Sequence, residues 1–192
     1  MVSDRDESWP VLGTTTIHKD DWVVGVRKDE ITRPEGGDPF ERLIVTHPGA
    51  AMVLAVDDEH RVLVISQYRH AVGKRMIQLP AGVIDHEGED PLDTAKRELQ
   101  EEAEYAAERW DHLVSYNTSP GLTDERFHIY LARGLSPAPR GDFEMLHEEA
   151  DLTTEWVQFT ELLDDVVSGR VNDGALITGV LAYNVMSRRG VV

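Results

Sequence analysis

Apolar residues at helical spacing predict one helix in the middle of the chain. They recur every three or four residues and would form a stripe along one helical face. The residues of this stripe are Leu92, Ala95, Leu99 and Ala103. Asp90 and Pro91 come directly before it, and these residue types are favoured as the N-cap and as the first residue of a helix. The pattern therefore predicts a helix that begins just after Asp90.

Short apolar runs separated by turn residues predict a series of strands. The predicted strands lie at 14–26 (one or two strands, the second centred on Trp22-Val23-Val24), 42–46, 50–56, 62–68, 110–117, 127–132 and 154–159. We expect 62–68 to pair with 50–56, because only a polar turn separates them. Helices are expected at 161–168 and 175–187. Strands and helices mixed in this order predict an α/β sandwich.

Three carboxylates share one face of the central helix, beside its apolar stripe. Glu98, Glu101 and Glu102 are three and four residues apart, which makes them neighbours on a helical surface. They repel one another unless a partner is present, and a hard divalent cation such as Mg²⁺ prefers oxygen ligands of this kind. A solvated acidic helix face is the usual alternative. Arg97 and Glu89, together with the loop before the helix, favour the metal site.

Composition and charge narrow the range of partners. The formal net charge of −17 argues against binding to a nucleic-acid backbone or to an anionic membrane. The chain contains no cysteine, which excludes disulfides, zinc–thiolate sites and a cysteine nucleophile, and fits a cytoplasmic protein. The N-terminus shows no signal-peptide pattern, and the uncharged stretch 174–187 is too short to span a bilayer.

The segment 82–105 resembles the Nudix box, the signature of the Nudix hydrolases, which reads G-x5-E-x7-R-E-U-x-E-E-x-G-U with U an aliphatic residue. The matching residues are Gly82, Glu89, Arg97, Glu98, Leu99, Glu101 and Glu102. Six residues instead of five separate Gly82 from Glu89. Glu104 replaces the second glycine and Tyr105 follows it, so Glu104 either accepts backbone strain or lets the helix run on.

Features outside the box resemble ADP-ribose pyrophosphatases within this family. They are Gln67-Tyr68-Arg69, Leu79-Pro80-Ala81-Gly82, and Pro120, which lies 15 residues past Tyr105. The resemblance implies the Nudix fold, a mixed β-sheet sandwiched between helices, over residues 48–192. It implies a small β-rich dimerisation segment over residues 1–47, and a homodimer that exchanges these segments.

The resemblance also implies roles for the box residues. The metal ligands would be Glu98, Glu101, Glu102 and the carbonyl of Ala81. Arg97 and Glu89 would orient these ligands, and Gly82 belongs to the loop that supports them. The catalytic base would lie on the acidic loop 147–151, with Glu148 favoured over Glu149.

Substrate contacts are expected from four further residues. Arg69 is a candidate phosphate clamp, with a surface salt bridge as the alternative. Arg42 could reach the substrate from the partner subunit, and Trp22 could stack on adenine, although an aromatic residue in a strand is more often a packing residue. Pro120 would shape a pocket loop. Gln78 stands where such enzymes often carry glutamate, which puts substrate detail in question.

The resulting hypothesis is Mg²⁺-dependent hydrolysis of ADP-ribose to AMP and ribose 5-phosphate, with Mn²⁺ as a possible substitute. One alternative is hydrolysis of another nucleoside diphosphate derivative, such as a sugar nucleotide or a dinucleotide. A second alternative is a non-catalytic nucleotide-binding module with the same fold, which the full set of central box glutamates disfavours.

Overall fold

A computed structural model describes residues 2–86 and 88–192. The chain divides into two compact units. The first unit runs to residue 48 and also includes residues 117–125, and the second contains 49–116 and 126–192. Among the described residues, no helix combines the length and apolar character needed to cross a membrane.

The first unit is built on an antiparallel three-stranded sheet in the order β1-β2-β3. Its strands are β1 (Val11–Lys19), β2 (Gly25–Ile31) and β3 (Phe40–Thr46). The segment 117–125 continues this unit, because the Val45 amide donates to the Leu122 carbonyl at 2.9 Å. On β2 the buried Asp29 accepts hydrogen bonds from the Thr14 hydroxyl at 2.8 Å and from Arg27 Nε at 3.1 Å.

Trp22 lies in the turn between β1 and β2, so the prediction of a strand centred on it is wrong. The Asp20 carboxylate accepts hydrogen bonds from the backbone amides of Trp22, at 3.0 Å, and of Val24, at 2.9 Å. A side chain that satisfies these amides replaces the partner a strand would need. The Trp22 side chain is 69% exposed, which makes packing in the core of this unit impossible.

The second unit contains the remaining strands and the α-helices. Its elements are β4 (Ala50–Ala55), β5 (Arg61–Arg69), β6 (Lys74–Gln78), β7 (Ala81–Val83), α1 (Pro91–Ala103), β8 (Tyr105–Asn117), β9 (Arg126–Pro137), β10 (Thr153–Gln158), α2 (Phe159–Val167) and α3 (Gly174–Arg188). One sheet has the order β7-β4-β9-β8 and another the order β10-β5-β6. The first of these is mixed, because β4 runs parallel to β9 and antiparallel to β7.

Strand β4 is buried along its whole length and separates two apolar clusters. Successive strand residues point to opposite faces of a sheet. Met52 and Leu54 therefore join the cluster that contains residues of α2 and α3, whereas Ala51 and Val53 join the cluster that contains residues of α1. The helices thus cover both faces of the mixed sheet, as predicted for an α/β sandwich.

The predicted pairing of 50–56 with 62–68 is wrong. Strand β4 pairs with β7 and β9, while β5 pairs with β6 and β10. An isolated bridge between Val56 and Val62 links the ends of the two predicted partners. The turn at 57–60 joins them in sequence, but β4 gains a longer parallel pairing with β9. Strands β6 and β7 were not predicted, and β8 begins at Tyr105 instead of 110.

Both ends of α1 are defined by particular residues. At its start, the Asp90 side chain accepts a hydrogen bond from the Leu92 amide at 2.9 Å, and Pro91 is the first helical residue. At its end, Glu104 adopts a left-handed conformation with φ 59° and ψ 38°. Such a conformation costs a residue with a side chain about 1–2 kcal/mol. Glu104 therefore accepts strain, and the helix ends instead of running on.

Candidate active site

The two buried glutamates of α1 face strand β7. Glu102 Oε2 accepts a hydrogen bond from the Ala81 amide at 2.8 Å, which ties the helix to the strand. A Cβ atom on Gly82 would lie 1.9 Å from Glu98 Oε1 and 2.1 Å from its Cδ. Only a glycine at position 82 therefore leaves room for the Glu98 carboxylate where it stands.

Arg97 lies among the carboxylates that surround this face. Its Nη1 atom donates to Glu98 Oε1 at 2.6 Å and to Glu101 Oε2 at 3.0 Å. Its Nε lies 3.8 Å from Glu89 Oε1, and its Nη2 lies 3.8 Å from Asp85 Oδ1. One guanidinium thus fixes two carboxylates of α1 and attracts two more from the loop before this helix. Asp85 was not singled out in the sequence, because its loop position carries no helical spacing.

Burial dominates the electrostatics of the two central glutamates. Desolvation raises the pKa of Glu98 to about 7, although the Arg97 guanidinium acts in the opposite direction. Desolvation also raises the pKa of Glu102 to about 8. The hydrogen bond from the Ala81 amide acts to lower this pKa, and repulsion by Glu98 raises it further. Two carboxylates therefore stand where their negative charge is poorly compensated by the protein alone.

The donor atoms on this helix face are of the kind that a divalent cation binds. Glu98, Glu101 and Glu102, which we call the acidic centre, supply oxygen atoms only, as hard cations prefer. Glu89 Oε2 is buried without a hydrogen-bond partner in the described part of the chain. In residues 2–86 and 88–192, the ligand atoms of Asp85, His86 and Glu89 lie within 4.8 Å of one another, in the loop before α1. This loop contains Glu87, which lies outside the described residues.

The acidic loop contributes Glu149 to the surroundings of the acidic centre. Glu148 and Glu149 lie in a short 3₁₀-helix, His147–Asp151, where Glu148 is exposed and Glu149 is half-buried. Burial raises the pKa of Glu149, while Arg69 lowers it and Glu101 raises it further. Glu149 in turn contributes to the raised pKa values of Glu98 and Glu102, after their desolvation. Glu148 is not among the main causes of those two raised pKa values.

The loop that carries Glu149 is attached to the sheet by Arg75. Arg75 Nη1 donates to the Asp151 carbonyl at 3.1 Å and to the Ser66 carbonyl at 3.2 Å. Its Nη2 forms an ion pair with the Asp151 carboxylate. These contacts join β5 and β6 to the end of the 3₁₀-helix. Sequence reasoning missed Arg75, because its partner lies 76 residues away along the chain.

The NUDIX domain model of this protein family matches residues 45–172. The chain belongs to the Nudix family. The predicted membership and the Nudix fold are therefore confirmed.

Proteins similar to this Nudix chain include two with a named activity. An ADP-ribose pyrophosphatase of Mycobacterium tuberculosis is 37% identical over 182 residues, which cover 95% of this chain and 86% of that protein. An ADP-ribose pyrophosphatase of Bacillus subtilis is 34% identical over 142 residues, which cover 74% of this chain and 70% of that protein. The crystal structure of an ADP compounds hydrolase has a TM-score of 0.76 at 19% identity and covers 99% of this chain and 100% of its own, which supports the fold alone.

Arg69 of this Nudix chain ends strand β5 and is held by an amide. Arg69 Nε donates to Gln78 Oε1 at 2.6 Å, and Gln78 Nε2 donates to Asp173 Oδ2 at 2.7 Å. Asp173 Oδ1 accepts from the Leu176 amide at 2.8 Å and so caps α3. An aspartate before an apolar helix is a recognisable cap signal. Its contact with Gln78, 95 residues earlier, could not be read from the sequence.

The other predicted substrate residues belong to the first unit. Arg42 and Pro120 both line a pocket of about 530 Å³ within that unit. The Arg42 guanidinium lies 4.4 Å from the centre of the Phe40 ring, and its Nη1 donates to the Glu41 carbonyl at 2.9 Å. Trp22 is exposed in its turn and is not part of this pocket. The structure thus groups the predicted metal, base and clamp residues in the second unit, and Arg42 and Pro120 in the first.

Proposed function

We propose that this Nudix protein hydrolyses the diphosphate bond of ADP-ribose to AMP and ribose 5-phosphate, with Mg²⁺ as its cation and Mn²⁺ as a substitute. The observation that carries the proposal is the buried pair Glu98 and Glu102, with the charge of Glu149 acting on both glutamates and the charge of Arg69 acting on Glu102. A cation held by acidic residues neutralises phosphate charge, and a further carboxylate can act as the general base, so this group of residues suits cleavage of a diphosphate. The similarity to ADP-ribose pyrophosphatases supports the choice of substrate.

The acidic centre and the Ala81 carbonyl would hold the cation in this proposal. When bound, a divalent cation neutralises phosphate charge and lowers the pKa of a coordinated water. Arg97 orients Glu98 and Glu101 through its two hydrogen bonds, and Glu89 adds its charge to the same group. Gly82 leaves the space that the Glu98 carboxylate needs.

Glu149 is the base in this proposal, and Glu148 is not. A general base must be near the water that it deprotonates, and it works best when its pKa lies close to the working pH. Glu149 is half-buried with a raised pKa and interacts with the acidic centre, whereas Glu148 is exposed. The Glu149 carboxylate would take the proton of the attacking water, while Arg69 binds phosphate oxygens through its planar guanidinium.

A turnover screen with Mg²⁺ tests the reaction and the substrate together. ADP-ribose, sugar nucleotides, NADH and diadenosine polyphosphates are offered in parallel, with products resolved by chromatography. We expect the highest kcat/KM for ADP-ribose and a loss of turnover in EDTA or in Glu102→Gln. A higher kcat/KM for another compound would contradict the substrate, and no turnover with Mg²⁺ or Mn²⁺ would contradict the enzyme.

The paired variants Glu149→Gln and Glu148→Gln test the base. We expect Glu149→Gln to lower kcat by about 10²–10⁴-fold, the usual contribution of a general base, and Glu148→Gln to leave kcat nearly unchanged. Each change removes one charge from the same short loop, so each serves as the control for the other. The reverse order would assign the base to Glu148, and two active variants would place it elsewhere.

We further propose a cytoplasmic homodimer in which residues 1–47 form the dimerisation segment and 48–192 the Nudix domain. Apolar side chains exposed along β1, Val11, Leu12 and Ile17, support a partner on this strand. Arg42 would then reach the substrate from the partner subunit, Trp22 would stack on adenine, and Pro120 would shape a pocket loop. Light scattering should give twice the chain mass, and a monomer at working concentrations would contradict the dimer. The net charge of −17 supports neither nucleic-acid nor membrane partners.

A further inference from the structure

Gln78 stands between a cation and an anion of the second unit. Its side-chain oxygen accepts from Arg69 Nε at 2.6 Å, and its side-chain nitrogen donates to Asp173 Oδ2 at 2.7 Å. The amide orientation is fixed by these partners, because the reverse orientation would oppose two donors at Arg69 and two acceptors at Asp173. The neutral amide therefore joins the two charged groups while keeping them apart.

In the described part of the chain, Arg69 is not neutralised by a directly bonded carboxylate. Within residues 2–86 and 88–192, the Arg69 guanidinium forms no salt bridge, and its one hydrogen bond goes to the Gln78 amide. The charge of Arg69 acts instead on the active site. Burial is the largest cause of the raised pKa values of Glu149 and Glu102, and Arg69 acts to lower both. Arg69 is thus held in place and remains electrostatically available.

We infer that Gln78 is a positioning residue that holds Arg69 without neutralising it, so that the full charge of Arg69 serves the diphosphate of the substrate. This inference rests on the proposed function, in which Arg69 binds phosphate oxygens. It deepens that proposal by making the residue at position 78 a determinant of affinity for diphosphate-linked substrates. A glutamate at this position would accept the same hydrogen bond but would pair with Arg69 as a salt bridge.

Asp173 explains why position 78 carries an amide. A carboxylate at position 78 would oppose the Asp173 carboxylate at the present 2.7 Å contact, where two ionised oxygens repel each other. The amide instead supplies a donor to Asp173, whose other oxygen caps α3. Exchanging the two groups would preserve every hydrogen bond, because asparagine caps helices as well as aspartate.

The decisive experiment is therefore a charge exchange, Gln78→Glu combined with Asp173→Asn. Net charge and hydrogen-bond count stay the same, but the carboxylate moves next to Arg69. We expect the double variant to keep the thermal midpoint of the wild type and most of its kcat, while KM for ADP-ribose rises about tenfold, which corresponds to about 1.4 kcal/mol. A double variant with wild-type KM would overturn the inference, since a merely structural Gln78 predicts that result.

Two single variants keep the inference testable if the double variant does not fold. Gln78→Glu adds a carboxylate beside Arg69, whereas Gln78→Met removes the same hydrogen bonds without adding charge. We expect KM to rise more in Gln78→Glu than in Gln78→Met, and the opposite order would overturn the inference.

Binding of inorganic pyrophosphate with Mg²⁺, measured by calorimetry, separates this inference from the proposed function. We expect the wild type to bind pyrophosphate about tenfold more tightly than the double variant, whether or not the wild type hydrolyses ADP-ribose. A wild type that binds pyrophosphate in this way but shows no turnover would contradict the proposed function alone. Equal affinities in an active enzyme would overturn the inference alone.

Discussion

Gly82→Ala should remove activity while leaving the fold nearly intact. The added Cβ would lie 1.9 Å from Glu98 Oε1, 2.1 Å from its Cδ and 2.6 Å from its Cγ. Ordinary contacts of a Cβ begin at 3.4 Å, whereas the Glu98 oxygen would lie at 1.9 Å. The carboxylate must therefore move away by about 1.5 Å, the difference between these two distances. The backbone of Gly82 needs no left-handed conformation, so alanine itself adds no strain there.

The displacement sets the expected size of the two effects. A shift of about 1 Å at a reacting centre costs on the order of 10²-fold in rate, so we expect kcat/KM to fall by at least that factor. The shift also weakens the hydrogen bond from Arg97 to Glu98, which contributes about 1–3 kcal/mol. Moving a poorly solvated carboxylate toward water offsets part of that loss, so the free energy of unfolding should fall by no more than about 1–2 kcal/mol.

Steady-state kinetics with ADP-ribose and Mg²⁺, together with chemical denaturation, measure both effects. Gly174→Ala is the matched control, because a Cβ there meets nothing within 4 Å and the residue begins α3. Titration of Mg²⁺ should also show a weakened apparent metal affinity in Gly82→Ala and an unchanged one in Gly174→Ala. Wild-type kcat/KM and metal affinity in Gly82→Ala would refute the reasoning that glycine is required to seat Glu98.

Two further predictions concern stability. Burial raises the pKa of Glu98 to about 7 and that of Glu102 to about 8, against a reference of 4.5, so the folded state binds more protons than the unfolded state between these pH values. The stabilisation from these two groups in the metal-free protein should therefore be complete below about pH 4.5 and be lost as the pH rises to about 8. Glu102→Gln should lose less stability over the same pH range. Thermal midpoints in EDTA across this range check the sign, and a midpoint that rises with pH in the same way in both proteins would contradict it. Glu104→Gly should raise the free energy of unfolding by up to about 1 kcal/mol, because glycine adopts the left-handed conformation without strain, and kcat should stay unchanged. Denaturant titration measures this effect. A lower free energy of unfolding would mean that the lost ion pair between Glu104 and Arg140 outweighs the relieved strain.

Local signals in the sequence were sufficient where one element determines its own structure. Helix α1 begins where Asp90 and Pro91 predicted, because an N-cap and a proline act through bonds within the first turn. The apolar runs of β4 and β9 were recognised for the same reason. Helical spacing alone placed Glu98, Glu101 and Glu102 on one face, and the family resemblance added their roles.

Strand pairings and side-chain contacts between residues far apart in the chain could not be predicted from the sequence. The parallel pairing of β4 with β9 places Ala50 opposite Phe127. No short turn connects these strands in the sequence, so no local pattern predicts that they pair. The strand at Trp22 was predicted from the apolar residues there, whereas the structure forms a turn in which Asp20, a turn-forming residue type, accepts from the Trp22 amide. The link from Arg69 through Gln78 to Asp173 likewise exists only in three dimensions, so sequence alone could notice Gln78 without explaining it.

The division of the chain has a practical consequence for truncated proteins. Residues 117–125 belong with the N-terminal strands, and the Val45 amide donates to the Leu122 carbonyl at 2.9 Å. A fragment starting at residue 49 would keep this segment but lose the strand that it bonds to. The Thr118 amide also donates to the Glu125 carbonyl at 3.2 Å, so the two ends of segment 118–125 lie side by side. A fragment limited to the second unit should therefore replace residues 118–125 with a short turn, in addition to starting at residue 49.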